Sequence, residues 1–438
     1  MQKRKNPFSY NMKIVIVGAG ITGCIAGIEL AKLKHDVHIY ESCNEIGGIL
    51  RDAIFDEDIF FNSCHYLNND ASWVQNLLKD YSFNILKFDH VYGSFTEYEN
   101  KKVVCNESAI PTFNINETTN YISNNYSLGQ NDSINNRFGA YPKCISSFLK
   151  KWFNQFQVHD SKYIHENGSI ATQCNRVYLK GQETNINKLK DLSTIIDSLY
   201  GIPRKKLNKS KSSLKAILPI KGYNYFFNEL KKVLLDNSCN LNLGSTVRPY
   251  FDDNQKLNIV CNKKQINYDA IIWAANPVPI IFKSGYGKLD NPFCKMKIFH
   301  FNISDTNIIN PKYIQIFSLK SLITRIFVYN INNCNKVTVE TIYTDKDPIK
   351  ELDFISSKAI ELLKSFNYPS DICFAGAQIQ KRHIFYTKDD FNKINSFEND
   401  YNIKFPNFVG GGYLEYGRDQ KINSILNKFH SLQMNYNK

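Results

Sequence analysis

Several residues of this chain have types and spacings that could do chemistry. They are three glycines in the pattern Gly18-x-Gly20-x-x-Gly23, an acid at Glu41, a glycine pair at Gly47-Gly48, a histidine at His65, and an arginine inside an apolar run at Arg325. Gly18 permits a tight turn, Gly20 lets the backbone come close to a pyrophosphate, and Gly23 lets a helix pack near a strand. The helix that follows opens at Ile21 and Thr22. Its first N–H groups and positive dipole end suit phosphates. Glu41 stands 21 residues after Gly20, where a carboxylate accepts hydrogen bonds from ribose hydroxyls and disfavours a 2′-phosphate. His65 is able to carry a proton. Arg325, in "LITRIFVYN", needs an anionic partner if its strand is buried.

These residues are useful only if secondary structure holds them. "KIVIV" (13–17) reads as a buried parallel strand and "ITGCIAGIELAKLK" (21–34) as a helix. "DVHIY" (36–40) reads as a second strand that ends at Glu41. Strand, glycine turn, helix, strand and acid make the whole βαβ unit that gives the glycine pattern its meaning. Farther on, Gly222 starts a helix with Tyr225, Phe227, Leu230 and Val233-Leu234 on its apolar face. "CNLNLGSTV" reads as a strand leading to Val247, "LNIVC" as part of a hairpin, and "DAIIWAANP" as a returning strand through Ala274. "PNFVGGGYLEYGRDQKINSIL" reads as strand, glycine turn and final helix, opening near Asp419. Residues 95–215 are long, polar and rich in Asn and Ser, and look inserted.

Composition sets outer limits. The chain has 438 residues, 43% hydrophobic and 13% aromatic, enough for a large core in two or three domains. Its net charge is +13, but the lysines are spread out apart from "PRKKLNKSKSSLK" (203–215), so nucleic acid is not the expected partner. Eleven cysteines at irregular spacing, without CxxC pairs, fit free thiols and a cytoplasmic setting better than a disulfide framework or a zinc site. No apolar run reaches the length of a membrane span. Residues 1–11 are basic, lack an apolar centre and are expected to be a disordered tail. No second GxGxxG follows a later strand, which argues against a separate NAD(P)H domain.

"ESCNEIGGILRD" extends the first motif. An acid followed six residues later by Gly47-Gly48 resembles the motif of FAD-binding flavoproteins in the glutathione-reductase-like superfamily. The resemblance implies FAD as cofactor, with Arg51 near the phosphates or the flavin. The order of elements around Val247 is similar to that of amine oxidase and protoporphyrinogen oxidase enzymes, in which the matching valine meets the adenine. Gly410, Gly411 and Gly412 would open space for the cofactor, and the helix near Asp419 would aim N–H groups at it. Within this class, "NSCHYLNNDASWVQNLL" (62–78) and "GGYLEYGRDQKINSIL" resemble the UDP-galactopyranose mutase branch. They do so through His65, Asn69-Asp70, Trp73, Tyr413, Tyr416, Asp419, Gln420 and Ile422. That branch places its first histidine beside the flavin. Its second histidine is replaced here by Asn68, and its arginine after the glycines is missing at Gly412, with Arg418 nearby. The branch holds its substrate diphosphate with a pair of arginines, for which Arg176, Arg204, Arg325 and Arg382 are candidates here.

The expected fold is α/β: a discontinuous glutathione-reductase-like Rossmann FAD-binding domain (12–90, 216–276 and 400–438) with an inserted α+β substrate domain (91–215 and 277–399). The expected function is an FAD-dependent oxidoreductase acting on a small polar, anionic substrate such as a nucleotide-linked sugar. A redox-neutral mutase using reduced FAD and a non-catalytic flavin-binding protein are the alternatives. His65 and Arg325 are the expected catalytic residues, and Tyr343, Tyr386, Tyr413 and Tyr416 are candidates to line the pocket. Nothing in the sequence fixes the oligomeric state.

Overall fold

The computed structural model describes residues 11–89, 92–98, 101–105, 143–156, 215–252, 256–290, 293–344, 348–384, 386–405, 407–410, 412–413 and 418–436. Alternate side chains of Lys13–Val17 (β1) enter two different cores. Ile14 and Ile16 face one side, Val15 and Val17 the other. A strand buried on both faces must be covered by helices or sheets on both faces, and that requirement organises half the molecule. β1 pairs in parallel with Asp36–Tyr40 (β2) and with Ala270–Trp273. Asn240–Asn242 extends the sheet beyond β2, and Phe408–Gly410 extends it beyond Ala270–Trp273. Five parallel strands from distant parts of the chain thus form one nucleotide-type sheet.

Helix Ile21–Lys32 (α1) returns the chain from β1 to β2 and shares the first core with helices Tyr223–Asp236 and Arg418–Tyr436 through Ile25, Leu230 and Ile425. The opposite face is covered by a small antiparallel sheet, Val247–Phe251, Leu257–Cys261 and Lys264–Gln265, and by helix Lys388–Lys404. Ile394, Phe397 and Tyr401 of that helix pack with Val15 and Trp273. The sequence-based boundary at 399/400 cuts through this helix, which sits with the nucleotide sheet because that sheet's second face needs its apolar side chains. Ile280 and Ile281 lie in the same core. Val247 opens the small antiparallel sheet, whereas the residues just before it, Asn240–Asn242, join the parallel one.

The second body is a seven-stranded sheet in the order Ile372–Ile384, Phe293–Ile303, Cys334–Ile342, Ile323–Ile331, Lys312–Ser318, Tyr92–Tyr98 and Lys101–Cys105. All neighbours are antiparallel except Lys312–Ser318 with Tyr92–Tyr98. One face is apolar. Phe299, Phe301, Ile314, Ile326, Val328, Val337 and Val339 pack there against Ile355, Leu362 and Leu363 of helix Pro348–Ser365. Because side chains alternate along a strand, the register puts Arg382, Gln380, Gln378, His300, Glu340, Thr338, Arg325 and Gln315 on the other face. That polar face turns toward residues 60–66, which lead out of the nucleotide fold. A three-stranded sheet of Leu67–Asn68, Lys215–Pro219 and Ile85–Asp89 adjoins this junction.

Candidate functional site

The glycine turn has the geometry of a phosphate cradle. An added Cβ on Gly23 would lie 2.0 Å from the Gly18 carbonyl oxygen, so the residue must be glycine for α1 to start where it does. An added Cβ on Gly20 would meet nothing within 4 Å. Gly20 is therefore not required for internal packing, and its bare backbone faces open space. It is also the residue that precedes α1, and no side chain caps the N–H groups of the first turn. A helix start left without a side-chain cap beside an open glycine leaves N–H groups free to meet an anion.

Glu41 follows β2, as the sequence predicts. Its carboxylate accepts hydrogen bonds from the Ala19 N–H at 2.8 Å and the Cys43 N–H at 2.9 Å. The acid is thereby fixed against the glycine turn, with Gly18 donating its N–H to the Tyr40 carbonyl at 2.8 Å. Gly47 donates to the Ala19 carbonyl at 2.8 Å and bridges Gly20, so the second glycine pair, Gly47-Gly48, lies directly beside the first motif. Arg51 is half-exposed and pairs with Glu45. Ile21 is buried and Thr22 half-buried at the start of α1. Ala274 donates its N–H to the Val17 carbonyl at 2.9 Å, which places the end of its strand next to the turn. Val247 and Tyr40 are both half-buried against the second core.

The C-terminal piece also converges here. Gly412 is buried, and Tyr413 donates its hydroxyl to the Trp273 carbonyl at 3.1 Å. Asp419 opens the last helix and accepts from the Trp73 Nε1–H at 2.7 Å and the Asn68 amide at 3.1 Å. Asn68, which stands where the mutase branch has its second histidine, thus ties the 62–78 segment to the final helix. Ile422 is fully buried, so its side chain serves the core. Gly411 and Tyr416 lie outside the described residues, as do Arg176 and Arg204.

Asp52 was not singled out by the sequence pattern. Its carboxylate accepts from the N–H groups of Tyr223 (3.0 Å) and Asn224 (2.7 Å), so it caps helix Tyr223–Asp236 from a remote segment. Burial pushes its pKa up to about 7, against the opposing pull of those two N–H groups and of Arg51. A carboxyl whose folded pKa exceeds its unfolded value favours folding at low pH, and that contribution is lost as pH rises through the folded pKa. Wild-type stability should therefore fall between about pH 4 and pH 7 by on the order of 1–4 kcal/mol relative to an Asp52→Asn variant, which cannot ionise. Parallel denaturant titrations of the two proteins across that range would check this. Equal slopes would show that the carboxyl does not ionise against burial.

The polar face of the large sheet and the 62–66 segment meet in a cluster of charged groups. Glu340 is fully buried. It accepts hydrogen bonds from the Ser63 hydroxyl, the Cys64 N–H (3.2 Å) and the Arg325 guanidinium. Arg325 also donates to the Tyr313 hydroxyl at 3.2 Å. The anionic partner that Arg325 requires is thus supplied from within the chain. Of the candidate arginines, Arg325 is therefore engaged within the protein by Glu340 and Tyr313.

Two other arginines reach the same cluster. Arg382 Nη1 lies 3.2 Å from His65 Nε2, and Arg418 Nη2 lies 3.4 Å from His65 Nδ1. Arg382 also reaches the Asn62 carbonyl, and Arg418 the Tyr66 carbonyl at 3.0 Å. Neither forms an ion pair among the described residues, and Arg382 Nε is buried without a hydrogen-bond partner. Burial, with Arg382 and Arg418 alongside, holds the His65 pKa well below the usual histidine range. His65 is thus neutral. A neutral imidazole has one N–H and one acceptor nitrogen, whereas a guanidinium only donates. One of the two arginine contacts is therefore donor against donor, and the cluster as it stands is under-satisfied. Three guanidiniums against one carboxylate leave an excess of positive charge at a partly buried site.

Sequence reasoning reached His65 and named Arg382 without distinguishing it from three other arginines. It missed Glu340, Tyr313 and the role of Arg418. The one available signal for Glu340 was an acid in "KVTVETI", a strand in which valines alternate with polar residues, where a buried charge needs a partner. Among the described residues, no helix is long and apolar enough to cross a membrane, and no group of His, Cys, Asp and Glu is arranged to hold a metal.

A family of NAD(P)-binding Rossmann-like domains matches residues 16–81. No curated protein matches the chain by sequence. Solved structures match over nearly the whole length. Reduced UDP-galactopyranose mutase superposes with a TM-score of 0.65 at 13% identity, covering 96% of each chain. An oxidoreductase from Methanosarcina mazei gives 0.60 at 12%, covering 96% of this chain and 100% of that one. Putrescine oxidase bound to putrescine gives 0.59 at 11%, covering 97% and 99%. The glycine turn, the discontinuous parallel sheet and the large second sheet together give this chain the same fold as these solved structures.

Proposed function

We propose that the chain is an FAD-dependent oxidoreductase that exchanges hydride with a small anionic, polar substrate. The dinucleotide is supported by the open Gly20 backbone, the uncapped start of α1 and the fixed Glu41 carboxylate. Gly20, Ile21 and Thr22 would hold the pyrophosphate, Glu41 the ribose, and Gly47-Gly48 the adjoining stretch. FAD, when bound, supplies the hydride chemistry.

The single observation that carries the substrate class is the pair of guanidiniums, Arg382 and Arg418, set on either side of neutral His65 with no carboxylate partner among the described residues. A protonated amine entering this site would meet like charge. A carboxylate or phosphate would accept from one guanidinium and relieve the donor-against-donor contact. It would also offset the positive charge that, after burial, disfavours the His65 imidazolium, so an anionic ligand would make the imidazole a better base. His65 is then the proton acceptor at the substrate, and Arg382 and Arg418 orient the anion.

A redox-neutral rearrangement of a nucleotide-linked sugar is the second reading. It is favoured by the mutase-like 62–78 segment and accommodated by the same two arginines. The test is anaerobic mixing of the FAD-loaded protein with panels of carboxylates, nucleotide sugars and amines, read by flavin absorbance. Bleaching by a carboxylate or phosphorylated compound is expected, and bleaching only by amines would overturn the proposal. Conversion of a nucleotide sugar only after prior reduction of the flavin would establish the second reading.

A further inference from the structure

The polar face of the large sheet carries Glu340, a charged residue with no role in the scheme above. Its carboxylate is fully buried. Burying an ion is costly unless it is paired and hydrogen-bonded, and here Ser63, Cys64 and Arg325 supply hydrogen bonds. On one side Glu340 receives the Ser63 hydroxyl and the Cys64 N–H, one residue before His65. His65 in turn donates its N–H to the Ser63 carbonyl at 2.8 Å, so the three residues form one tight segment. On the other side Glu340 receives Nε and Nη2 of Arg325 from the neighbouring strand. The contact spans 276 positions from Cys64 and joins the nucleotide fold to the large sheet.

We propose that Glu340 is a positioning residue: it anchors the Ser63–His65 segment to the large sheet and holds Arg325 back, so that two guanidiniums rather than three face a ligand. Without the carboxylate, Arg325 would join Arg382 and Arg418 as an unpaired cation. Without Arg325, the carboxylate would be left unpaired one residue from His65 and would pull the imidazole toward its protonated form. Of the charges that act on His65, Arg382, Arg418 and Arg325 disfavour the imidazolium and Glu340 favours it.

The experiment is a pH titration of His65 by NMR in the full-length protein with labelled histidine, with the signal assigned by its loss in H65Q. In wild type the ring should stay neutral across the accessible acid range. In R325Q its midpoint should rise by about one pH unit or more, and in R325Q/E340Q it should return to the wild-type pattern. A role in packing alone predicts no movement in R325Q, and that result would overturn the proposal. So would a double variant that titrates like R325Q. Should R325Q not fold, E340Q titrated with inorganic phosphate decides the matter. The released third guanidinium should tighten phosphate binding about 3- to 10-fold over wild type, and unchanged or weaker binding would overturn the proposal.

The inference deepens the proposed anion site and rests on it for the phosphate arm. The histidine titration does not require FAD or substrate. A protein that retains no FAD would defeat the proposed function while leaving the result for Glu340 readable.

Discussion

Gly20→Ala should weaken FAD binding by at least about tenfold while leaving the FAD-free protein as stable as wild type. Gly23→Ala should instead destabilise the protein itself. The two glycines belong to one motif, and only their surroundings separate them. The methyl of Gly20→Ala would project into space that no other described residue comes within 4 Å of, so none of them resists it. In the proposed binding mode, that space is where the pyrophosphate comes within hydrogen-bonding reach of the first N–H groups of α1. A displacement there costs about 1.4 kcal/mol for each tenfold in affinity. The methyl of Gly23→Ala would lie 2.0 Å from a backbone oxygen, and a carbonyl in the β1–α1 turn cannot swing away as a side chain can. The cost should exceed the roughly 1–3 kcal/mol of ordinary overpacking. Thermal unfolding of the FAD-free proteins and equilibrium FAD titration separate the two effects. If Gly20→Ala binds FAD as wild type does, the cradle does not hold a pyrophosphate.

The second large effect concerns the arginine pair. Arg382→Met and Arg418→Met should each weaken binding of an anionic probe such as inorganic pyrophosphate to the FAD-loaded protein by about 10- to 100-fold. That is the range expected for losing a hydrogen bond to a charged group. Methionine keeps most of the length and apolar stem of arginine, so the loss reports charge rather than volume. The same variants should let His65 protonate at higher pH, because each removes a cation that acts on the ring. Arg325→Met is different. It leaves the buried Glu340 carboxylate unpaired, so its main effect should be on stability, by about 3–5 kcal/mol. An Arg325→Met protein as stable as wild type but unable to bind the probe would reverse the roles assigned to the three arginines.

The contrast between these sites shows what the sequence can and cannot reveal. Gly18, Gly20, Gly23 and Glu41 form a site built by consecutive elements. Their spacing along the chain is their spacing in space, so the βαβ unit can be read directly. The return of Ala270–Trp273 beside β1 and the helix after Gly222 were legible for a related reason: each is a local apolar pattern whose place the nucleotide fold dictates. The charged cluster is different. Cys64 meets Glu340 across 276 positions, His65 meets Arg382 across 317, and His65 meets Arg418 across 353. No local spacing encodes those meetings. The first two depend on the register of the large sheet, which sets Glu340 opposite Arg325 and places Arg382 on the same face, and the third on where the last helix starts. The same register explains why Arg325 looked like a ligand-binding residue. An arginine in an apolar strand does need an anion, but the sequence does not say whether that anion is a substrate or a strand neighbour.

The direct test of the central claim is reconstitution of the full-length protein with FAD, followed by gel filtration and an absorbance spectrum of the eluted protein. The account predicts that flavin co-elutes at one per chain, held at the Gly20 cradle and the start of α1. A protein that elutes without flavin absorbance after incubation with excess FAD would contradict it.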